Sequence, residues 1–261
     1  MLRKAIKASL QRLANAGGYE IKRIAPGRDV YEDLSRLLGS VHTAFDVGAN
    51  IGQTIHHMAR AFPEAAIHAF EPSTETFAVL HRTHASRPNV ALNNCALGAA
   101  PGSLPFFENS ESDMSSLLRQ GPDAWGDIRE VRSVAVDTVD RYCASHNVDC
   151  IDVMKSDTQG YDLEVLKGAA SMLAARRIRA IFLEINFCKM YDGQASLDEV
   201  FRFLTDHGFE LLTFYEMHYR NGRLGWTDAL FSLADLPVRP VTQPRADVRP
   251  ATSDSVAVRG G

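Results

Sequence analysis

Phe45-Asp46-Val47-Gly48-Ala49-Asn50-Ile51-Gly52, followed by Ala69-Phe70-Glu71-Pro72, reads as a strand, a tight glycine turn, a helix and a second strand that ends in a carboxylate. That arrangement makes a nucleotide-type cofactor site. Gly48 lets the chain turn sharply off the strand, Gly52 lets a ligand or the following helix approach the backbone, and an acid such as Glu71 binds ribose hydroxyls. The spacing departs from the dinucleotide fingerprint G-x-G-x-x-G, whose middle glycine makes room for a pyrophosphate. Asn50 stands at the middle position and Gln53 at the third. A ligand with a ribose but no pyrophosphate fits this turn better, which disfavours a nicotinamide-dependent oxidoreductase.

Outward from this turn, apolar runs that suit parallel strands occur at Thr43–Val47, Ala66–Phe70, Val90–Asn93, Ile151–Ser156 and 178–185. Helical patterns fall near Gln53–Ala61, 74–85, 162–174 and 197–207. Strand and helix in turn imply a parallel sheet covered on both faces. Two last apolar runs, 209–215 and 228–234, flank Asn221-Gly222, a turn signal that implies an antiparallel edge. Residues 97–138 break the rhythm: 102–108 and 131–136 look like two strands joined by a Ser-rich loop long enough to serve as a binding loop or lid. Asp137, Thr138 and Asp140 suit helix caps better than catalysis.

With 261 residues and 45% apolar content, the chain can bury a large α/β domain, expected over 41–236. A helical extension is expected over 1–40, with a short possible strand at 19–24, and a disordered tail over 237–261, where Pro, Arg, Ser and Val replace any periodicity. The net charge of −4 gives no general attraction to nucleic acid. Cys95, Cys143, Cys150 and Cys188 lie without C-x-x-C spacing, so reduced thiols of a cytoplasmic protein are the reading. No apolar run approaches the roughly 20 residues that span a bilayer, and charges interrupt the N-terminus where a signal peptide has its apolar stretch. Leu2, Ile6, Leu10 and Leu13 share one helical face beside Arg3, Lys4, Lys7 and Arg12. Residues 1–16 thus suit peripheral contact with an anionic inner membrane face, and equally a helix packed on its own domain or on a homo-oligomer partner.

A second motif is Lys155-Ser156-Asp157-Thr158-Gln159-Gly160-Tyr161-Asp162. In an open α/β sheet the ligand crevice lies beyond the carboxyl ends of the strands, so Asp157 is expected in the same crevice as Gly48 and Glu71. His56, His57, His81 and His84 are read as solvated helix faces, and without a closely spaced acidic ligand set no metal is expected. Trp125, Tyr215, Tyr219 and Trp226 suit a sugar-ring platform taken together and ordinary packing taken singly.

In this order, the 46–54 turn, Phe70-Glu71-Pro72, Asn94-Cys95-Ala96-Leu97-Gly98, Ser115-Ser116, Val136-Asp137-Thr138-Val139-Asp140, the 155–169 stretch and Phe182-Leu183-Glu184-Ile185-Asn186 resemble the FkbM family of S-adenosylmethionine-dependent methyltransferases. The resemblance covers about residues 43–234. It implies a class I Rossmann-like fold, a mostly parallel twisted sheet with helices on both faces and an antiparallel C-terminal edge. It also implies S-adenosyl-L-methionine as cofactor and O-methylation of a hydroxyl on a sugar, glycolipid or related natural product, so that the partner is a small-molecule or glycan acceptor. Carried over, Asp46, Gly48, Ala49, Asn50 and Gly52 wrap the methionine part, with Asp46 near its ammonium group. Glu71 takes the ribose diol, Asn94, Cys95 and Ala96 lie against adenine, and Ser115 and Ser116 close from the insertion. Lys155, Asp157 and Gln159 stand beside the transferable methyl, and Glu184 faces the acceptor. Many relatives carry Glu at the place of Gln159, so no acid–base role is given to it. Asp157 is the first candidate to receive the acceptor's proton, with Glu184 and His218 behind it. A non-catalytic scaffold that keeps the cofactor fold is the competing class.

Overall fold

Strand β1 (Thr43–Val47) is fully buried apart from its first residue because it runs through the middle of a parallel sheet, where both faces are covered. The computed structural model describes residues 2–18 and 27–236. Helices α1 (Leu2–Ala16) and α2 (Val30–Leu38) precede β1. Then α3 (Gln53–Ala61), β2 (Ala66–Phe70), α4 (Thr74–His84) and β3 (Val90–Asn93) follow in alternation. The insertion contributes β4 (Ala96–Leu97), β5 (Gly102–Asn109), a 3₁₀ turn (Ser112–Met114) and β6 (Ile128–Asp137). The alternation resumes with α5 (Val139–His146), β7 (Ile151–Ser156), α6 (Asp162–Lys167), α7 (Ala170–Ala174), β8 (Ile178–Asn186) and α8 (Leu197–Asp206), and closes with β9 (Phe209–Arg220) and β10 (Arg223–Leu233).

The main sheet has the order β3-β2-β1-β7-β8-β10-β9, parallel through β8 and antiparallel at β10 and β9. This is the mostly parallel sheet with an antiparallel C-terminal edge that the resemblance implies. The strand order reverses beside β1, so the crevice belongs at the carboxyl ends of β1, β2 and β7. Register sets those ends level, since Val47 is opposite both Phe70 and Ser156. One buried cluster, with Phe45, Met154, Ile181 and Leu183, packs against α5 to α8, and a second, with Ala44, Val153, Ala180 and Phe182, packs under α2 and α3.

The helical pattern over 162–174 is interrupted between α6 and α7. A Cβ on Gly168, between the two helices, would lie 2.0 Å from the Gly98 carbonyl oxygen, so the lack of a side chain lets the chain press against the insertion there. Asp140 accepts hydrogen bonds from Ser171 N and Met172 N, which caps α7, while Thr138 Oγ1 accepts from Arg141 N and caps α5. The C-terminal hairpin is longer than its apolar runs. Its turn is Asn221-Gly222, both with positive φ, and register shifts along β9 and β10 break the alternation that marks a strand in sequence. The strand expected at 19–24 and the tail at 237–261 lie outside the described residues. On α1, Leu10 and Leu13 are exposed, and among the described residues no helix is long and apolar enough to cross a membrane.

Candidate active site

The turn after β1 is shaped by close backbone approach. Gly48 has φ +80°, and a Cβ there would sit 2.0 Å from the Asp157 carbonyl oxygen. Gly48 N and Ala49 N both donate to Phe70 O, which draws the turn towards the end of β2. Gly52, at φ +98°, meets protein instead of a cavity: a Cβ there would lie 2.3 Å from His84 Nε2 and 2.9 Å from Leu80. His84 is therefore buried against the turn, unlike the exposed His56, His57 and His81. The expectation that all four histidines lie on solvated helix faces fails at His84, because α4 packs that side chain under Gly52.

Asn50 N donates to Glu71 Oε2 at 2.9 Å and Ser73 N to Glu71 Oε1 at 2.8 Å, so two backbone donors fix the carboxylate while it lines an open cavity. Burial raises the Glu71 pKa to about 7 against the opposing pull of those two hydrogen bonds. The remaining wall is apolar at Phe70, Pro72, Ala96, Leu97 and Phe106, and polar at Ser112, Asp113 and Ser115 from the insertion. Gly48, Asn50, Asp157, Thr158 and Gln159 form the far end. Small-molecule sites have this mixture of apolar walls with a few fixed polar groups.

A chain of charges runs beneath that end. Lys155 Nζ lies 3.4 Å from Asp46 Oδ1 and 3.3 Å from Asp157 Oδ2, and donates to Gly48 O at 3.2 Å. Burial opposes the ammonium charge, yet Asp157 and Asp46 together hold the Lys155 pKa above its ordinary value. Burial raises the Asp46 pKa to about 6, countered by Lys155. Among the described residues neither Asp46 oxygen has a close hydrogen-bond donor, and the Lys155 ammonium at 3.4 Å is the charge that faces them. Asp46 is fully buried, stands outside the cavity wall and packs against Lys155.

Asp157 Oδ1 accepts from Gln159 Nε2 at 2.8 Å, and Gln159 Oε1 accepts from the Tyr191 hydroxyl at 2.5 Å. Ser156 is opposite Leu183, which sets Asp157 next to Glu184, and Glu184 is opposite Asp228. Burial, then Asp157 and Asp162, hold the Glu184 pKa well above its ordinary value, although Asn186 Nδ2 donates to it at 3.0 Å. Burial followed by the Asp157 charge raises the Asp228 pKa to about 7. Asp228 and Tyr191 escaped the sequence reading. An Asp inside the apolar run of β10 was the available signal for the first, while Tyr191 stands in a loop without any motif.

Of the remaining sequence candidates, Ser115 and Ala96 line the cavity, whereas Ala49, Asn94, Cys95 and Ser116 support it from behind. Asn94 Nδ2 donates to Glu71 O at 2.8 Å, Cys95 packs against the core, and Ser116 Oγ donates to Gln159 O at 2.8 Å. The aromatic group packs as well: Trp226 stacks on His218 at 4.9 Å and lies 5.5 Å from Trp125, over which Arg220 sits at 4.7 Å. These side chains fasten the insertion to the β9–β10 hairpin. Tyr215 is buried and donates to Asp33 at 3.1 Å, and Tyr219 is exposed.

Residues 46–211 match the model of the family described as Methyltransferase FkbM domain. The chain belongs to the FkbM methyltransferase family. It is similar to the 2-O-methyltransferase NoeI of Sinorhizobium fredii (strain NBRC 101917 / NGR234), 23% identical over 223 residues that cover 81% of this chain and 90% of the relative. It is also similar to the 31-O-demethyl-FK506 methyltransferase FkbM of Streptomyces tacrolimicus, 26% identical over 221 residues that cover 71% and 81%. Among solved structures, magnesium protoporphyrin IX methyltransferase (ChlM) from Synechocystis PCC 6803 with bound SAM matches with a TM-score of 0.43 at 12% identity, over 87% of this chain and 96% of that one. As a member of the FkbM family the chain is an S-adenosylmethionine-dependent methyltransferase, and S-adenosyl-L-methionine is its cofactor.

Proposed function

We propose that this FkbM-family enzyme methylates a hydroxyl oxygen of a small-molecule or glycan acceptor, a sugar or related natural product, with Asp157 as the group that receives the hydroxyl proton. The observation that carries this reading is the placement of Asp157. It stands at the carboxyl end of β7, in the cavity wall, next to Gly48 on one side and Glu184 on the other. The two O-methyltransferase relatives support an oxygen acceptor.

Bound S-adenosylmethionine supplies an electrophilic methyl carbon on a sulfonium. Glu71 offers its carboxylate to the ribose diol, held in place by Asn50 N and Ser73 N. Phe70, Pro72, Ala96, Leu97 and Phe106 give the adenine an apolar slot, and Ser112, Asp113 and Ser115 close over it from the insertion. Gly48 and Asn50 of the turn line the methionine end. Lys155 holds the Asp157 carboxylate in place, and Glu184 with Asp228 lines the acceptor side. Alignment of two bound reactants can supply about 7 to 11 kcal/mol, whereas proton transfer to a placed base supplies roughly 3 to 5 kcal/mol, so positioning carries most of the rate.

Incubation with labelled methyl donor and a fractionated cell extract tests the reading. Label in a sugar-bearing or polyol fraction is the expected result. Label confined to protein, nucleic acid or amines overturns it.

A further inference from the structure

The loop between β8 and α8 brings a buried phenol to the rear of the Asp157 carboxylate. Tyr191 is 3% exposed, and its ring packs among Met114 and Met190. Gln194 fixes the loop by accepting from Tyr191 N at 2.8 Å and donating to Cys188 O at 2.8 Å. The approach is close enough that a Cβ on Gly160 would meet Tyr191 Cδ2 and Gln194 Cβ at 3.0 Å each. Gln159, beside it, has φ +55°, an uncommon conformation for a residue with a side chain. Ser116 Oγ holds that backbone by donating to Gln159 O.

The hydrogen bonds through Gln159 have one consistent direction. An ionised carboxylate only accepts, so Asp157 Oδ1 must face the amide nitrogen of Gln159. The amide oxygen then faces the Tyr191 hydroxyl, which donates to it at 2.5 Å. A Phe at 191 would leave that oxygen without a donor and free the amide to rotate. Asp157 Oδ2 is meanwhile set by Lys155 at 3.3 Å. The carboxylate is thus held at both oxygens, and one of the two restraints ends at Tyr191.

We infer that Tyr191 is a positioning residue for methyl transfer, which acts through the Gln159 amide to orient the Asp157 carboxylate towards the acceptor hydroxyl. The inference rests on the role given to Asp157 above. It adds a coupling: the Tyr191 hydroxyl also lies 3.4 Å from Met114 O, in the 3₁₀ turn beside the cavity-lining Ser112, Asp113 and Ser115. The same phenol therefore touches the insertion that covers the cofactor and the amide that orients the base.

The test uses the full chain labelled with ¹⁵N, read with and without S-adenosylhomocysteine. The Gln159 side-chain amide is assigned as the resonance pair lost in Gln159→Ala. In the wild type it should stand apart from solvent-exposed glutamines. In Tyr191→Phe it should collapse onto them, with proton exchange at least about tenfold faster. For transfer, Tyr191→Phe should lower the initial rate of labelling of the acceptor fraction about tenfold, the scale of a small misplacement of a reacting group, and leave the affinity for S-adenosylhomocysteine within about twofold. In a Gln159→Ala background, the same substitution should lower the rate by no more than about twofold. An unchanged amide pair in Tyr191→Phe, or an equal loss of rate in both backgrounds, overturns the inference. Should Tyr191→Phe fail to fold, Gln159→Met cuts the same link from the other side and must give the same loss of rate. Absence of labelling by the wild type would count against the proposed function, while the amide resonance would still decide the place of Tyr191.

Discussion

A Cβ placed on Gly48 would lie 2.0 Å from the carbonyl oxygen of Asp157, so the turn after β1 and the end of β7 touch backbone to backbone. Contact this close admits no side chain, and φ +80° adds about 1 to 2 kcal/mol of strain for any L residue. Gly48→Ala should push the two segments apart. Calorimetry is expected to show at least about a hundredfold loss of affinity for S-adenosylhomocysteine, and thermal unfolding a midpoint several degrees lower. Wild-type affinity in a folded Gly48→Ala protein would mean that the contact is slack.

Glu71 links pH to both binding and stability, with opposite signs. Its pKa is raised to about 7 from an ordinary 4.5. An unfolded chain therefore binds fewer protons than the folded one between those values, and the stabilising effect of the neutral carboxyl, full below pH 4.5, is lost as pH rises through 7, up to about 3 kcal/mol. Relative to Glu71→Gln, the apo protein should lose stability to urea over that window. Cofactor affinity should move the other way, because the ionised form is the better acceptor for a ribose diol. S-adenosylhomocysteine should bind more weakly below pH 7 in the wild type, with a flat profile in Glu71→Gln. Parallel profiles in the two proteins would remove Glu71 from ribose binding.

Asp157→Asn retains shape and hydrogen-bonding capacity but removes the base. Turnover with the acceptor should fall by about 10² to 10⁴, the usual contribution of a placed general base. Affinity for S-adenosylhomocysteine, measured by calorimetry, should change less than about threefold. Equal losses in both would assign Asp157 to cofactor binding alone.

Lys155 is the shared counterion of Asp46 and Asp157, and Asp46 is fully buried with both oxygens lacking a hydrogen-bond donor among the described residues. Lys155→Met should leave a buried carboxylate uncompensated and destabilise the fold by about 3 kcal/mol in urea unfolding at pH 8. Adding Asp46→Asn should restore a good part of that. A double variant no more stable than Lys155→Met alone would refute the pairing.

Much of this was legible in the chain because each segment carries its own local signal. Gly48, Asn50 and Glu71 are separated by one strand–helix–strand unit, and the motif at 155–162 follows a strand that is buried on both faces. Other positions depend on approach between segments distant in sequence, which no pattern records. Gly52 reads as a place where a ligand or the following helix comes close to the backbone, and only the fold shows α4 bringing His84 there. Asp46 gains its counterion only when Lys155 reaches it from 109 positions away. Tyr191 acquires meaning only when the β8–α8 loop folds onto Gln159. The aromatic residues at 125 and 226 suit a platform or ordinary packing in the sequence, and once the insertion meets the hairpin Trp226 stacks on His218 with Trp125 tilted against it.

The most direct measurement of the central claim is the position of a deuterated methyl group on the purified product of the wild-type enzyme, read by fragmentation mass spectrometry. The account predicts an ether, with the label on an oxygen that carried a hydroxyl in the acceptor. Label on nitrogen, sulfur or carbon would contradict it.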